Sequence, residues 1–168
     1  MASMKYDLVV TAPGQPAATM NVQLKKNKIR MDTSAQGQET VQLIDMDAKT
    51  MYSYTPDLNV AVKMIYSRDP DVATDTSKVA DNKPEVIGTE TVDGKVCLVV
   101  QYTAQNVTTK AWIWKDKGIP IRAESTSSQG TTVTEYKNIQ FVDIADSVFQ
   151  LPAGVTIVDL AIPPATPR

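Results

Sequence analysis

Apolar and polar residues alternate with a period of two along much of the chain. Met20, Val22 and Leu24 alternate with polar neighbours, and positions 58–64 repeat the same pattern. Because successive side chains of a β-strand point to opposite faces, this alternation predicts strands with one buried face. Thr, Val and Ile are frequent while Leu is scarce, which also favours β-structure.

Turn sequences separate these segments at intervals of about ten residues. Asp93-Gly94 is typical of a two-residue type I′ hairpin, and Gly118 fits the left-handed position of a slightly longer one. Evenly spaced turns predict an antiparallel up-and-down meander. We expect about eleven strands, six before a break at residues 66–83 and five after it. The predicted fold class is therefore mainly β.

Two segments, 96–102 and 111–114, are apolar on both faces. A strand of this kind must be covered on both sides. The sheet is therefore predicted to curl into an incomplete, half-open barrel, with at most short helices as a lid. Within the break, Asp69 followed by Pro70 fits the start of a helix. The sequence allows three alternatives for the break: a short helix, an ordered lid-like loop or a disordered connector.

The length of 168 residues corresponds to about one domain. We predict a single half-barrel domain over residues 4–160, followed by a Pro-rich tail at 161–168. Residues 1–3 are interpreted as an artificial start in place of a natural leader. No apolar run approaches the roughly 18 residues that a transmembrane helix needs.

Histidine is absent, Cys97 is the single cysteine, and the net charge is −2. Without histidine there is no Ser-His-Asp or Cys-His nucleophile pair, no histidine base and no histidine metal ligand. One cysteine allows neither a disulfide framework nor a CxxC pair. The slightly acidic balance argues against nucleic acid as a partner. The composition therefore predicts a protein that is not an enzyme and has no metal or cofactor.

All seven methionines lie between Met1 and Met64, and Met20, Met31 and Met51 fall on separate predicted strands. Neighbouring strands of a meander bring such side chains together in a band. Methionine is flexible and suits surfaces that adapt to varied apolar partners. The band is therefore either an adaptable lining for an apolar ligand or part of an ordinary core. Two alternatives likewise apply to Trp112 and Trp114: they belong to the core, or they line a cavity or an interface.

Several segments, in their order along the chain, carry a family resemblance: 6–10, 20–24, 28–32, 44–57, 86–97, 111–122, 135–139 and 146–154. Their succession of strands and turns resembles the LolA/LolB-like lipoprotein localisation superfamily, and in particular its small, uncharacterised periplasmic members. The resemblance covers residues 5–158. It implies an incomplete antiparallel barrel of about eleven strands with a hydrophobic cavity, in a protein that carries lipoprotein acyl chains or other lipids, or senses envelope stress.

We therefore predict a periplasmic or otherwise extracytoplasmic protein that holds a lipid, an acyl chain or another apolar ligand in its half-barrel. Whether the precursor carries a lipid anchor is not decided by the sequence. The alternative is an envelope protein-interaction or sensor module with a self-filled barrel, in which the tryptophans are exposed anchors for a protein partner. The predicted lining residues are Met20, Val22, Leu24, Ile29, Met31, Leu43, Met51, Trp112 and Trp114.

Overall fold

The computed structural model describes residues 3–66 and 83–160, and nearly all regular structure in them is β-strand. Two short 3₁₀ helices occupy Pro56–Leu58 and Asp146–Phe149. The strands are β1 (Met4–Thr11), β2 (Ala18–Lys25), β3 (Lys28–Ala35), β4 (Gln38–Asp45), β5 (Thr50–Thr55), β6 (Val60–Ile65), β7 (Glu85–Val92), β8 (Lys95–Ala104), β9 (Val107–Trp114), β10 (Ile119–Ser127), β11 (Gly130–Phe141) and β12 (Thr156–Leu160).

The strands form one sheet in the order β12-β6-β5-β4-β3-β2-β1-β11-β10-β9-β8-β7. Consecutive strands pair antiparallel within β2–β6 and within β7–β11, whereas β12 pairs parallel to β6. The sheet ends at β12 and β7 and is not closed into a barrel. The predicted mainly-β antiparallel meander is confirmed, with twelve strands in residues 3–66 and 83–160 instead of the expected number of about eleven.

The hairpin turns adopt the backbone conformations that their sequences predict. Asp93 and Gly94 have φ of 48° and 72°, the two positive angles of a type I′ turn. Gly118 has φ of 66°, in the left-handed region expected for it. The predicted helix or lid at 66–83 lies outside the described residues except at its two ends, residues 66 and 83. The predicted tail at 161–168 also lies outside the described residues.

Contacts divide the chain into two compact units, which are treated separately below. Within the described residues, the first unit comprises 3–6, 20–66 and 139–160, and the second comprises 7–19 and 83–138. The single domain expected over 4–160 stays a prediction. No helix in the described part of the chain has the length and hydropathy required to cross a membrane.

Candidate ligand-binding face

The register of the first unit aligns apolar side chains across six strands. Leu24 lies opposite Ile29, which lies opposite Ile44, and Met51, Met64 and Leu160 continue the row. Residues directly opposite each other in paired strands place their side chains on the same face. We call this set the apolar row: Leu24, Ile29, Ile44, Met51, Met64 and Leu160.

A second row runs beside the apolar row on the same face. It contains two polar side chains, Gln42 and Ser53, between apolar residues on either side. We call it the mixed row: Val22, Met31, Gln42, Ser53, Val62 and Val158.

None of the positions that share this face in β2–β6 and β12 carries a charge. The remaining ones are neutral residues, and half of them are threonines. We call the whole set the uncharged face, formed by the apolar row, the mixed row and Met20, Thr33, Ala35, Gln38, Thr40, Thr55, Val60 and Thr156.

Exposure to water varies across the uncharged face. Val22 and Ile29 are each 1% exposed and Ile44 is 4% exposed, so the centre of the face is closed to water. Met31 and Met51 are half-buried. A ligand on this face would therefore contact the half-buried methionines and the middle of the mixed row first.

The opposite face of the same strands is charged. Lys28 and Asp45 form an ion pair across β3 and β4, with 3.4 Å between Nζ and Oδ2. The pKa of Asp45 is lowered from its ordinary value, mainly because the backbone N–H of Ala48 donates to this carboxylate, and Lys28 adds to the effect. Lys63 and Asp159 form a similar pair, 3.7 Å from Nζ to Oδ1.

The chain itself covers part of this charged face with residues 142–155. Arg30 donates from Nη1 to the carbonyl oxygen of Val148 over 3.1 Å. Lys25 forms an ion pair with Asp146, 3.0 Å from Nζ to Oδ1, which lowers the pKa of Asp146. Leu151 and Val155 pack against a core cluster formed by Val41, Leu43, Tyr54 and Ala61. The charged face is therefore the face that described residues of the first unit itself cover.

The predicted lining residues of the first unit fall on both sides of the sheet. Six of them share the uncharged face: Met20, Val22, Leu24, Ile29, Met31 and Met51. Leu43 points to the opposite face, where it is 4% exposed within the core cluster. The two polar residues of the mixed row, Gln42 and Ser53, were missed by the sequence prediction. Parity within each strand places Gln42 with Ile44 and Ser53 with Met51, but only the strand pairing shows that the two polar residues lie opposite each other.

Trp112 and Trp114 lie on one side of β9 in the second unit. Trp112 is 4% exposed, and its Nε1 donates to Oε2 of Glu90 over 2.7 Å. The Lys110 ammonium lies 4.5 Å from the centre of this ring and the Arg122 guanidinium 5.4 Å from it. In the alternative prediction Trp112 is an exposed anchor for a protein partner, and this part of the alternative is wrong because charged neighbours cover the indole.

Charged groups around Trp112 form a connected network that the sequence prediction missed. Arg122 contacts Glu124 at 2.7 Å and Glu135 at 3.1 Å, and Glu124 raises the pKa of the guanidinium. The indole N–H lowers the pKa of Glu90. Lys110 shares the parity of Trp112 within β9, but only the strand register brings the charges of the other strands to the same face. Each charge has a partner of opposite sign, and the network stabilises the buried indole.

Cys97 lies opposite Trp114 and is fully buried. Burial raises the pKa of its thiol, which keeps it protonated and unreactive. No group of three or more His, Cys, Asp or Glu side chains that could hold a metal occurs within residues 3–66 and 83–160.

Comparison with known proteins identifies a family and a fold. Residues 5–118 match the model of a family described as a domain of unknown function (DUF4412). A search of curated proteins found no match for the sequence.

Several solved structures are similar to this chain at low sequence identity. An uncharacterized conserved protein from Thermus thermophilus aligns with a TM-score of 0.71 and 10% identity, over 95% of this chain and 91% of that one. MucB, in the MucA/MucB complex of Pseudomonas aeruginosa, aligns with a TM-score of 0.60 and 16% identity, over 98% of this chain and 62% of that one. A LolA superfamily protein from Nitrosomonas europaea aligns at a TM-score of 0.40 and 13% identity, with 89% of each chain covered. The first two alignments support the fold.

Proposed function

The chain belongs to the DUF4412 family, and we propose that it is a non-enzymatic protein of the cell envelope that binds an apolar ligand, a lipid or acyl chain, on the uncharged face. The observation that carries this proposal is the separation of the two faces in the first unit. The charged face is covered by the chain's own residues 142–155, through Arg30 and the core cluster. The uncharged face presents aligned apolar side chains, several of them half-buried methionines.

Burial of apolar area would supply the affinity. Each Å² of apolar surface removed from water contributes about 25 cal/mol, and each buried methylene about 0.8 kcal/mol. The flexible methionines Met31, Met51 and Met64 suit a ligand of variable chain shape. The envelope location rests on the resemblance of the strand and turn order to the LolA/LolB-like superfamily.

Uptake of an uncharged apolar probe tests this proposal. Delipidated protein should enhance and blue-shift the fluorescence of N-phenyl-1-naphthylamine, and Met51→Lys should weaken that binding because it buries a charge under the probe. Thr50→Lys is the matched control, since the neighbouring residue places the same charge on the opposite face. The proposal fails if delipidated wild-type protein takes up no probe, or if the two variants weaken uptake equally.

A second candidate function is binding of a protein partner, with the interior filled by the chain's own side chains. Two observations favour it. The centre of the uncharged face is already closed to water at Val22 and Ile29. Edge strand β12 exposes Ile157, Val158 and Leu160, each about half exposed, and edge strands can pair with an added strand. This function predicts no probe uptake by the wild type, so the fluorescence experiment separates the two candidates.

A further inference from the structure

We infer that Gln42 and Ser53 bind the ester group of the ligand, so that the protein selects a neutral ester lipid, such as a diacylglycerol, over charged or ether-linked lipids. The inference rests on the proposed function, since it concerns the same face. The observation behind it is a pair of polar side chains in the middle of the uncharged face that form no side-chain hydrogen bond with the described residues.

The register places Gln42 on β4 directly opposite Ser53 on β5. Directly opposed residues of antiparallel strands have Cβ atoms roughly 4.5–5.5 Å apart, so both side chains reach one ligand group. Both residues are half-buried, and neither forms a side-chain hydrogen bond with any residue in the described part of the chain. Their polar atoms keep access to water, because none is both buried and unpaired. They are therefore available to a ligand that approaches this face.

The chemistry of the pair matches an ester. The Gln42 amide has two N–H donors and the Ser53 hydroxyl has one O–H donor, and an ester carbonyl oxygen accepts such bonds. Met31 lies beyond Gln42 in the row, and Val62 lies beyond Ser53. Apolar surface on both sides of the pair fits a polar group placed between apolar chains.

The lack of charge on this face argues against an ionised ligand. Burying a carboxylate or phosphate without a cation is costly, and the uncharged face has no Lys or Arg among its residues. The basic side chains of these strands, including Lys28, Arg30 and Lys63, point to the charged face. An ionised headgroup would therefore meet no counter-charge next to the ester-binding pair.

Three lipids with equal chain lengths test the inference by titration of the delipidated full chain. Dioctanoylglycerol should bind about three- to tenfold more tightly than its di-ether analogue, which lacks the carbonyl oxygens. It should also bind more tightly than dioctanoyl phosphatidate, whose phosphate is charged. Gln42→Leu combined with Ser53→Ala should remove the ester-over-ether difference and leave di-ether binding in place. Gln23→Leu, on the charged face, is the matched control and should keep the difference.

A charge-introducing variant gives a second readout. Gln42→Lys should reverse the order of dioctanoylglycerol and phosphatidate, because the added ammonium pairs with the phosphate. Circular dichroism of each variant verifies that the sheet is retained. Equal binding of ester and ether lipids by the wild type would overturn this inference and leave the proposed function standing. Absence of binding by all three lipids would overturn the proposed function itself.

Discussion

At the scale of single residues, Trp112 shows how a strand can bury an indole beside charged groups. The ring has Lys110 and Arg122 near its faces, and its N–H donates to Glu90. Cation–π contacts with a ring of this kind contribute about 0.5–1 kcal/mol at exposed sites and more where water is excluded. The polar indole N–H is satisfied, so burial of the ring leaves no unpaired donor.

The contact between Glu90 and Trp112 should make stability depend on acid pH. The indole N–H lowers the pKa of Glu90 below its ordinary value of 4.5, so the folded state favours the ionised carboxylate. The resulting stabilisation is fully present above the ordinary pKa and is lost as the pH falls through the folded-state pKa. We expect Glu90→Gln to lower the urea midpoint at neutral pH and to match the wild type in acid.

Glu85→Gln provides the control for this experiment. It removes a carboxylate from the same strand, β7, where Glu85 has no ion pair within the described residues. Its urea midpoint should follow that of the wild type at every pH. A Glu90→Gln deficit that stays constant from neutral to acid pH would show that the ionised carboxylate is not what stabilises the contact.

At the scale of elements, the turn between β10 and β11 depends on a glycine. Gly130 has φ of +116°, a conformation that residues with a side chain rarely adopt. A Cβ atom at this position would lie 2.6 Å from Cγ of Pro13, in the β1–β2 connection. Backbone strain and a steric clash therefore act together against any larger residue.

Gly130→Ala should lower the free energy of unfolding by about 1–3 kcal/mol. Equilibrium urea denaturation measures this loss. Gly88→Ala is the matched control, since its Cβ would meet no atom within 4 Å and it should change stability by less than about 1 kcal/mol. Adding Pro13→Ala to Gly130→Ala should recover the part of the loss that comes from the clash. No recovery would assign the whole loss to the backbone conformation.

The sequence predicts the strands and turns well because both depend on local pattern. Asp93-Gly94 requires a particular hairpin whatever surrounds it, and the structure has that hairpin. The local sequence does not determine the face of the sheet on which Leu43 lies. Both parities of β4 carry apolar residues near Leu43, and a choice of the wrong parity reverses every side chain. The choice depends on Leu151 and Val155, about a hundred residues further along the chain.

Strand β12 and the cover of Trp112 were missed for a related reason. β12 joins the sheet by parallel pairing with β6, which brings together residues such as Thr156 and Val60 that are far apart in the chain. The charged residues around Trp112 come from four separate strands, and only the register shows that they meet. In the candidate site, alternation identified the apolar residues, whereas the polar pair Gln42 and Ser53 needed the strand pairing.

At the scale of the whole molecule, ligand binding should appear as added thermal stability. A ligand that binds only the folded state stabilises it by about 2.7 kcal/mol at a hundred times its Kd. For a chain of this length, that corresponds to a rise in Tm of roughly 5–10 °C. We expect dioctanoylglycerol to produce this rise in the wild type, measured by differential scanning calorimetry.

An isosteric charge on each face tests where the stabilising ligand lies. Gln42→Glu should abolish the ligand-dependent rise in Tm at neutral pH, because the ligand would bury the new carboxylate without a partner. The rise should return in part at about pH 4, where this carboxylate takes up a proton. Gln23→Glu places the same charge on the charged face, opposite Arg30, and should keep the full rise at both pH values. A full rise for Gln42→Glu at neutral pH would place the ligand away from the uncharged face, whereas loss of the rise in Gln42→Glu alone would place it there.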